Sequence, residues 1–125
     1  MSEKRVDTAE CYQKVYDQNP RYGCAATGSC PAVRLLPLYL EWLLSPVLDL
    51  GCGNGDTVDA LECQGFGAVG IDFIRSAKTD GTRIRTGDIT KPIDNIREFR
   101  SGLCIDVLEH VDPANEDGLL RNLAH

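Results

Sequence analysis

The run Val47-Leu48-Asp49-Leu50-Gly51-Cys52-Gly53-Asn54-Gly55 carries the densest chemical signal in the chain. A short apolar stretch runs straight into three glycines and then into a helical pattern. Glycine has no Cβ and accepts positive φ, so such a loop lets a ligand lie against the backbone. Parallel sheets bind ligands beyond the carboxyl ends of their strands, which is where this loop would sit. Asp72 closes the next apolar run, Gly70-Ile71-Asp72, 21 residues after Gly51. A carboxylate there accepts both hydroxyls of an adenosine ribose. Asp88, in Thr86-Gly87-Asp88-Ile89, ends a third run, where its carboxylate or the surrounding amides can address the exocyclic amine of an adenine. Asp106, in Cys104-Ile105-Asp106-Val107, ends a fourth. Any one of these Asp residues is equally a helix cap or a turn former. Four at successive strand ends, beside a glycine loop, point to a site.

The elements that must position these residues can be read from hydrophobic periodicity. Before the glycine loop, residues from about Asp7 to Asp17 read as a helix carrying Tyr12, Val15 and Tyr16, ended by Asn19-Pro20. A loop rich in glycine and small polar residues follows, from Arg21 to Ser29. Pro31 opens a second helix, with Leu35, Leu36, Tyr39, Leu40, Leu43 and Leu44 on a broad apolar face. Pro37 kinks it or marks its true start, and Ser45-Pro46 stops it. From there short apolar runs alternate with helical stretches. Strands are expected at Val47–Leu50, Ala68–Ile71, Arg83–Thr86 and Leu103–Leu108, and helices near Thr57–Gln64, Asp94–Phe99 and Asn115–His125. That alternation is the mark of βαβ units and a parallel sheet. The chain divides into an N-terminal helical cap over residues 1–45 and a ligand-binding core over 46–125, together one domain.

Composition narrows the function. The 125 residues are 42% hydrophobic and 26% charged, the balance of an ordinary globular domain with one core. A net charge of −6 argues against a nucleic-acid or anionic-membrane binder, whose affinity rests on Lys and Arg against phosphates. Arg75, Lys78, Arg83 and Arg85 cluster in sequence, but a solvated sheet rim accounts for them. The most apolar stretch, Ala32 to Leu44, is interrupted by Arg34, Pro37 and Glu41 and falls short of the ~20 residues a membrane span needs. No apolar segment follows Met1-Ser2-Glu3-Lys4-Arg5, so no signal peptide is expected and the default location is cytoplasmic. Six cysteines, Cys11, Cys24, Cys30, Cys52, Cys63 and Cys104, contain no CxxC pair and read as reduced thiols rather than a zinc site.

These residues resemble the class I S-adenosylmethionine-dependent methyltransferases. Val47 to Gly55 looks like their first motif, Gly70-Ile71-Asp72 their second and Gly87-Asp88-Ile89 their third. Cys104 to Pro113, reading CIDVLEHVDP, is similar to the strand-four motif of the subgroup that includes ubiquinone-biosynthesis and other small-molecule methyltransferases. The resemblance covers about residues 47–112. It implies a Rossmann-like three-layer α/β/α sandwich with a mostly parallel sheet, truncated after about the fourth strand. It further implies S-adenosylmethionine as cofactor and S-adenosylhomocysteine as product. Backbone at Gly51, Gly53 and Asn54, within the loop that also holds Cys52 and Gly55, would contact the cofactor. Asp49 would meet the methionine ammonium, Asp72 the ribose, and Asp88 with Ile89 the adenine, with Phe73 packed on the adenine face and Asp106 closing the site. Methyl transfer from a sulfonium needs chiefly alignment, with a base added when the acceptor carries a proton. His110 is the candidate base, and ordering of its own loop is the other account of it. Tyr22 or Tyr12 could fold over the sulfonium as a lid, or simply pack. Asp106, Glu109 and His110 resemble the metal cluster of small-RNA 3′-end methyltransferases, but Asp stands where Glu is expected and the later His has no counterpart; metal dependence is not favoured.

Members of the family usually continue through three more strands, and their fourth strand is central. Here Leu103 to Leu108 would become an apolar edge, of the kind that proteins normally pair or cover. Three accounts of that edge stand: the sequence is a fragment, a second copy or another protein supplies the missing neighbours, or the chain is a shortened form that keeps binding without full catalysis. Self-association as a homodimer is the favoured expectation. The methyl acceptor is not identified; a small molecule or a protein fits, and the motifs of the exocyclic-amine and cytosine-C5 DNA methyltransferases are missing. The alternative is a non-catalytic cofactor-binding or partner-regulating module. An NAD-linked oxidoreductase fits less well, because the spacing is GxGxG rather than GxGxxG. Self-association should appear as concentration-dependent sedimentation at micromolar protein, and a clean monomer there would count against it.

Overall fold

The computed structural model describes residues 13–14, 17–18, 31–74, 83–105 and 107–125. Four parallel strands form one sheet: β1 (Val47–Leu50), β2 (Ala68–Asp72), β3 (Ile84–Thr86) and β4 (Ser101–Leu103), in the spatial order β3-β2-β1-β4. Among the described residues, α1 (Pro31–Tyr39), α2 (Asp56–Cys63) and α3 (Glu116–Leu123) accompany it, and residues 13–14 and 17–18 are helical as well. All four residues of β1 are buried, as expected of a central parallel strand covered on both faces.

Alternation along β1 builds two cores. Val47 joins Leu36 of α1, Val58 and Leu61 of α2, and Ala68, Ile84 and Leu103 on one face. Leu48 and Leu50 join Ile71, Ile89 and Leu119 of α3 on the other. The result is a three-layer α/β/α arrangement of the Rossmann-like kind, ending after the fourth strand. Among the described residues no helix is long and apolar enough to cross a membrane.

Several elements differ from the sequence expectation. α1 does not continue to Ser45-Pro46. It carries Pro37 inside it, ends at Tyr39 and tightens into a 3-10 turn over Leu40–Trp42. Its apolar face is also narrower: Leu36 is buried and Tyr39, Leu40 and Leu43 pack against it, whereas Leu35 and Leu44 are exposed, with Leu38 at 73% and Trp42 at 76%. The helix expected near Asp94–Phe99 is one 3-10 turn, Ile96–Glu98, since Asn95 takes a left-handed conformation (φ 60°) that a continuous helix does not allow.

β4 is the largest correction. It covers Ser101–Leu103 rather than Leu103–Leu108, paired in register Val47↔Ser101 and Asp49↔Leu103. Its pairing stops at Leu103 opposite Asp49, and β1 itself ends at Leu50 before the chain turns at Gly51, so that strand has nothing to offer the residues further along. Residues Leu108–His110 instead form a 3-10 turn. The sheet edge at β4 is thus three residues long, with Gly102 exposed and Leu103 buried, not a long apolar strand.

One contact fixes α2 and the loop before it on the sheet. A Cβ placed at Gly70 would lie 2.6 Å from both Cβ and Sγ of Cys52 and 3.0 Å from Val58 Cγ2. Gly70→Ala is therefore expected to cost about 1–3 kcal/mol in denaturant unfolding, the usual penalty of overpacking a filled core. Adding Cys52→Gly should recover part of that loss; equal stability of Gly70→Ala and the unaltered protein would refute the packing account.

Candidate functional site

The loop between β1 and α2 is shaped by three glycines in the left-handed region: Gly51 (φ 78°), Gly53 (φ 57°) and Gly55 (φ 86°). Other L-residues pay roughly 1–2 kcal/mol each there, so the sequence GxGxG is what permits this path. Gly51 N–H and Cys52 N–H both donate to the Ile71 carbonyl, at 2.8 and 3.2 Å, which lays the loop against the end of β2. Gly53 N–H then donates to Asp72 Oδ2 at 2.8 Å, and Ile74 N–H to Oδ1 at 3.2 Å. Asn54 Oδ1 accepts from Asp56 N–H at 3.2 Å, satisfying one of the open donors at the start of α2.

Beneath this loop lies Asp49, 6% exposed, paired in the sheet with Gly70 on one side and Leu103 on the other. Burial, with the Asp72 carboxylate adding to it, pushes the Asp49 carboxyl from its ordinary 3.8 up to about 7. Burial raises Asp72 as well, and the amides of Gly53, Ile74 and Phe73 pull it partly back. Burial, then Asp49 and Asp72, push the Cys52 thiol up; burial, then Asp49 and Glu109, raise Cys104. Thiols held protonated are small apolar fillers rather than nucleophiles. Cys52, Cys63 and Cys104 are free.

Asp49, Gly51, Cys52, Gly53, Asn54, Gly55 and Asp72 are thus gathered into one cradle. Phe73 follows Asp72 directly and is exposed. One strand over, where Asp72 pairs with Thr86, the chain continues into Asp88 and Ile89. Asp88 is exposed, and its Oδ1 accepts from Thr90 N–H at 2.9 Å and Thr90 Oγ1 at 2.6 Å. The Ile89 side chain lies in the core beside Leu48 and Leu119. His110 is exposed on the Leu108–His110 turn, with Nε2 3.6 Å from Glu109 Oε1. That turn is anchored near the loop by Val107: a Cβ at Gly51 would lie 2.5 Å from Val107 Cγ2. Asp106, Tyr12 and Tyr22 lie outside the described residues. A depression of ≈ 440 Å³ lined by Ile93, Asn95, Ile96, Arg97 and Glu98 contains none of the cradle residues. Among the described residues no three His, Cys, Asp or Glu are grouped to hold a metal ion.

Two residues that the sequence reading did not single out hold the site from behind. Asn122 of α3, 7% exposed, donates from Nδ2 to the carbonyls of Ile89 at 2.6 Å and Lys91 at 2.9 Å. Gly118 of the same helix approaches the Thr90 carbonyl so closely that any Cβ would overlap it. A glycine inside a helical pattern, where it costs about 1 kcal/mol against Ala, was the available signal.

The cradle has a stability signature. Asp49 ionises near its ordinary value in the unfolded chain and only near 7 when folded, so the folded state holds the proton more tightly between those values. Its contribution is fully present below about pH 4, declines as pH rises toward 7, and is gone above. Thermal unfolding at pH 8 should therefore show Asp49→Asn melting higher than the unaltered protein, with the gap closing toward pH 4. A gap independent of pH would contradict the raised carboxyl.

No protein-family model matches the chain, and no solved structure does. Among curated proteins it is 32% identical over 75 residues to the ubiquinone biosynthesis O-methyltransferase of Rickettsia conorii, covering 53% of this chain and 26% of that protein. It is 31% identical over 86 residues to the protein of the same name from Rickettsia prowazekii, covering 62% and 33%. With that of Paracidovorax citrulli it shares 32% over 105 residues, covering 68% and 44%. The chain thus spans less than half the length of these relatives. The partial likenesses, together with the parallel sheet, support a methyltransferase function in general terms.

Proposed function

We propose that this chain forms the cofactor-binding part of an S-adenosylmethionine-dependent methyltransferase acting on a small molecule or a protein. The observation that carries the reading is the carboxylate pair at the carboxyl edge of the sheet. Asp72 is oriented by Gly53 and Ile74 amides at the tip of β2, and Asp49 is buried below the glycine loop at the tip of β1. The donor set fits a ligand with a diol at one end and a cationic amine at the other. Asp72 keeps acceptor capacity for ribose hydroxyls beyond its backbone bonds. Asp49 gains a counter-charge from an ammonium group, which offsets the cost of ionising it in a buried place. The three glycines let the backbone close on the ligand without side chains in the way.

The cofactor supplies a methyl group already activated on a sulfonium. What remains for the chain is binding, alignment and, for a protonated acceptor, a place for the proton. His110 is the proposed base, three residues beyond the Val107 contact with the loop. Cys52 takes no part as a nucleophile, because burial, with Asp49 and Asp72 adding to it, keeps its thiol protonated.

Calorimetric titration with S-adenosylmethionine and S-adenosylhomocysteine should give micromolar binding of both, lost in Asp72→Ala. A folded protein that gives no heat with either ligand would overturn the reading. Transfer of a labelled methyl group into an extract would then separate an enzyme from a module that only binds.

A further inference from the structure

We infer that Asn122 and Gly118 of α3 are positioning residues for base recognition, holding the Asp88–Lys91 turn so that Asp88 faces the nucleoside. The inference rests on the cofactor reading above and adds a role for a helix that does not itself line the cradle.

The turn is closed by Lys91 N–H donating to the Asp88 carbonyl at 3.2 Å. Its next three carbonyls all meet α3. Asn122 gives one amide hydrogen to the Ile89 carbonyl at 2.6 Å and one to that of Lys91 at 2.9 Å, while the Thr90 carbonyl lies against Gly118. A planar trans peptide points its C=O and the following N–H in opposite directions. With the Ile89 carbonyl drawn toward α3, the Thr90 N–H must point away from it, and there it meets Asp88 Oδ1 at 2.9 Å. The Thr90 hydroxyl meets the same oxygen at 2.6 Å. The direction of the Asp88 carboxylate is thus set through one peptide plane by a side chain on another element.

Burial makes the clamp strict. Asn122 is 7% exposed and the neighbouring Leu119 is fully buried among Leu48, Leu50, Ile71 and Ile89, so α3 cannot shift independently of the turn. An amide that uses both hydrogens on two backbone carbonyls cannot be replaced by an apolar group without leaving those carbonyls unpaired. Nothing in core packing alone calls for Asn at this position.

The test uses the full chain and two ligands: S-adenosylhomocysteine, and S-inosylhomocysteine, which carries an oxo group where adenine carries its amine. The unaltered protein should prefer the adenosine compound. Asn122→Ala should weaken that compound by about tenfold, the scale of one or two lost polar contacts, while leaving the inosine compound near its original affinity. Asn122→Ser, which keeps one donor, should give an intermediate preference and decides the matter if the Ala variant does not fold. Equal loss for both ligands, or an undiminished preference in the folded variants, would overturn the positioning role. If the unaltered protein binds neither ligand, the cofactor reading fails, and this inference with it.

Discussion

The hydrogen bond from Gly53 N–H to Asp72 Oδ2 is the constraint on which the rest of the site depends. It joins the loop after the first strand to the tip of the second, where strand pairing has ended. With the Ile71 carbonyl already taking Gly51 and Cys52, this bond commits the backbone to a path that only glycine follows comfortably at three positions. The same path turns Cys52 inward against Gly70 and Val58, and so seats α2 on the sheet. It also roofs Asp49, whose charge is thereby held in a poorly solvated place.

That arrangement is costly to the fold. Two carboxyls in one poorly solvated place, both raised by burial, are a poor choice for stability. Groups perturbed by burial and by a like charge tend to collect where a protein works. The Cys52 and Cys104 thiols, raised by the same environment, are the passive part of it.

The sequence made the first two strands and their loop readable because they obey local rules. β1 is a continuous apolar run stopped by glycine, and β2 ends on the Asp that bonds back to the loop. β4 was not readable in the same way. Leu103 to Leu108 looks like one apolar strand, yet its length is set by how much of β1 is left to pair with, a fact of the sheet rather than of the segment. Asn95 undid a helix through one backbone angle. Asn122 looked like an ordinary polar residue near the end of an amphipathic helix, and its two carbonyl partners lie more than 30 residues away. The cradle was therefore legible in residue types, and its support was not, because support depends on which distant backbone groups arrive beside it.

The position of β1 in the middle of the sheet also orders the assembly of the molecule. Val47 pairs with Ala68, 21 residues along, but with Ser101 only 54 residues along. Closing the shorter loop forfeits less chain entropy, so the β1–β2 pairing costs less to form than the β1–β4 pairing. The backbone bonds that hold the glycine loop against β2, from Gly51 to Ile74, lie on the early side of that division. During synthesis the bond from Gly53 to Asp72 can close while β4 and α3 are still to come, so the glycine loop can be in place before the helix that backs the Asp88 turn.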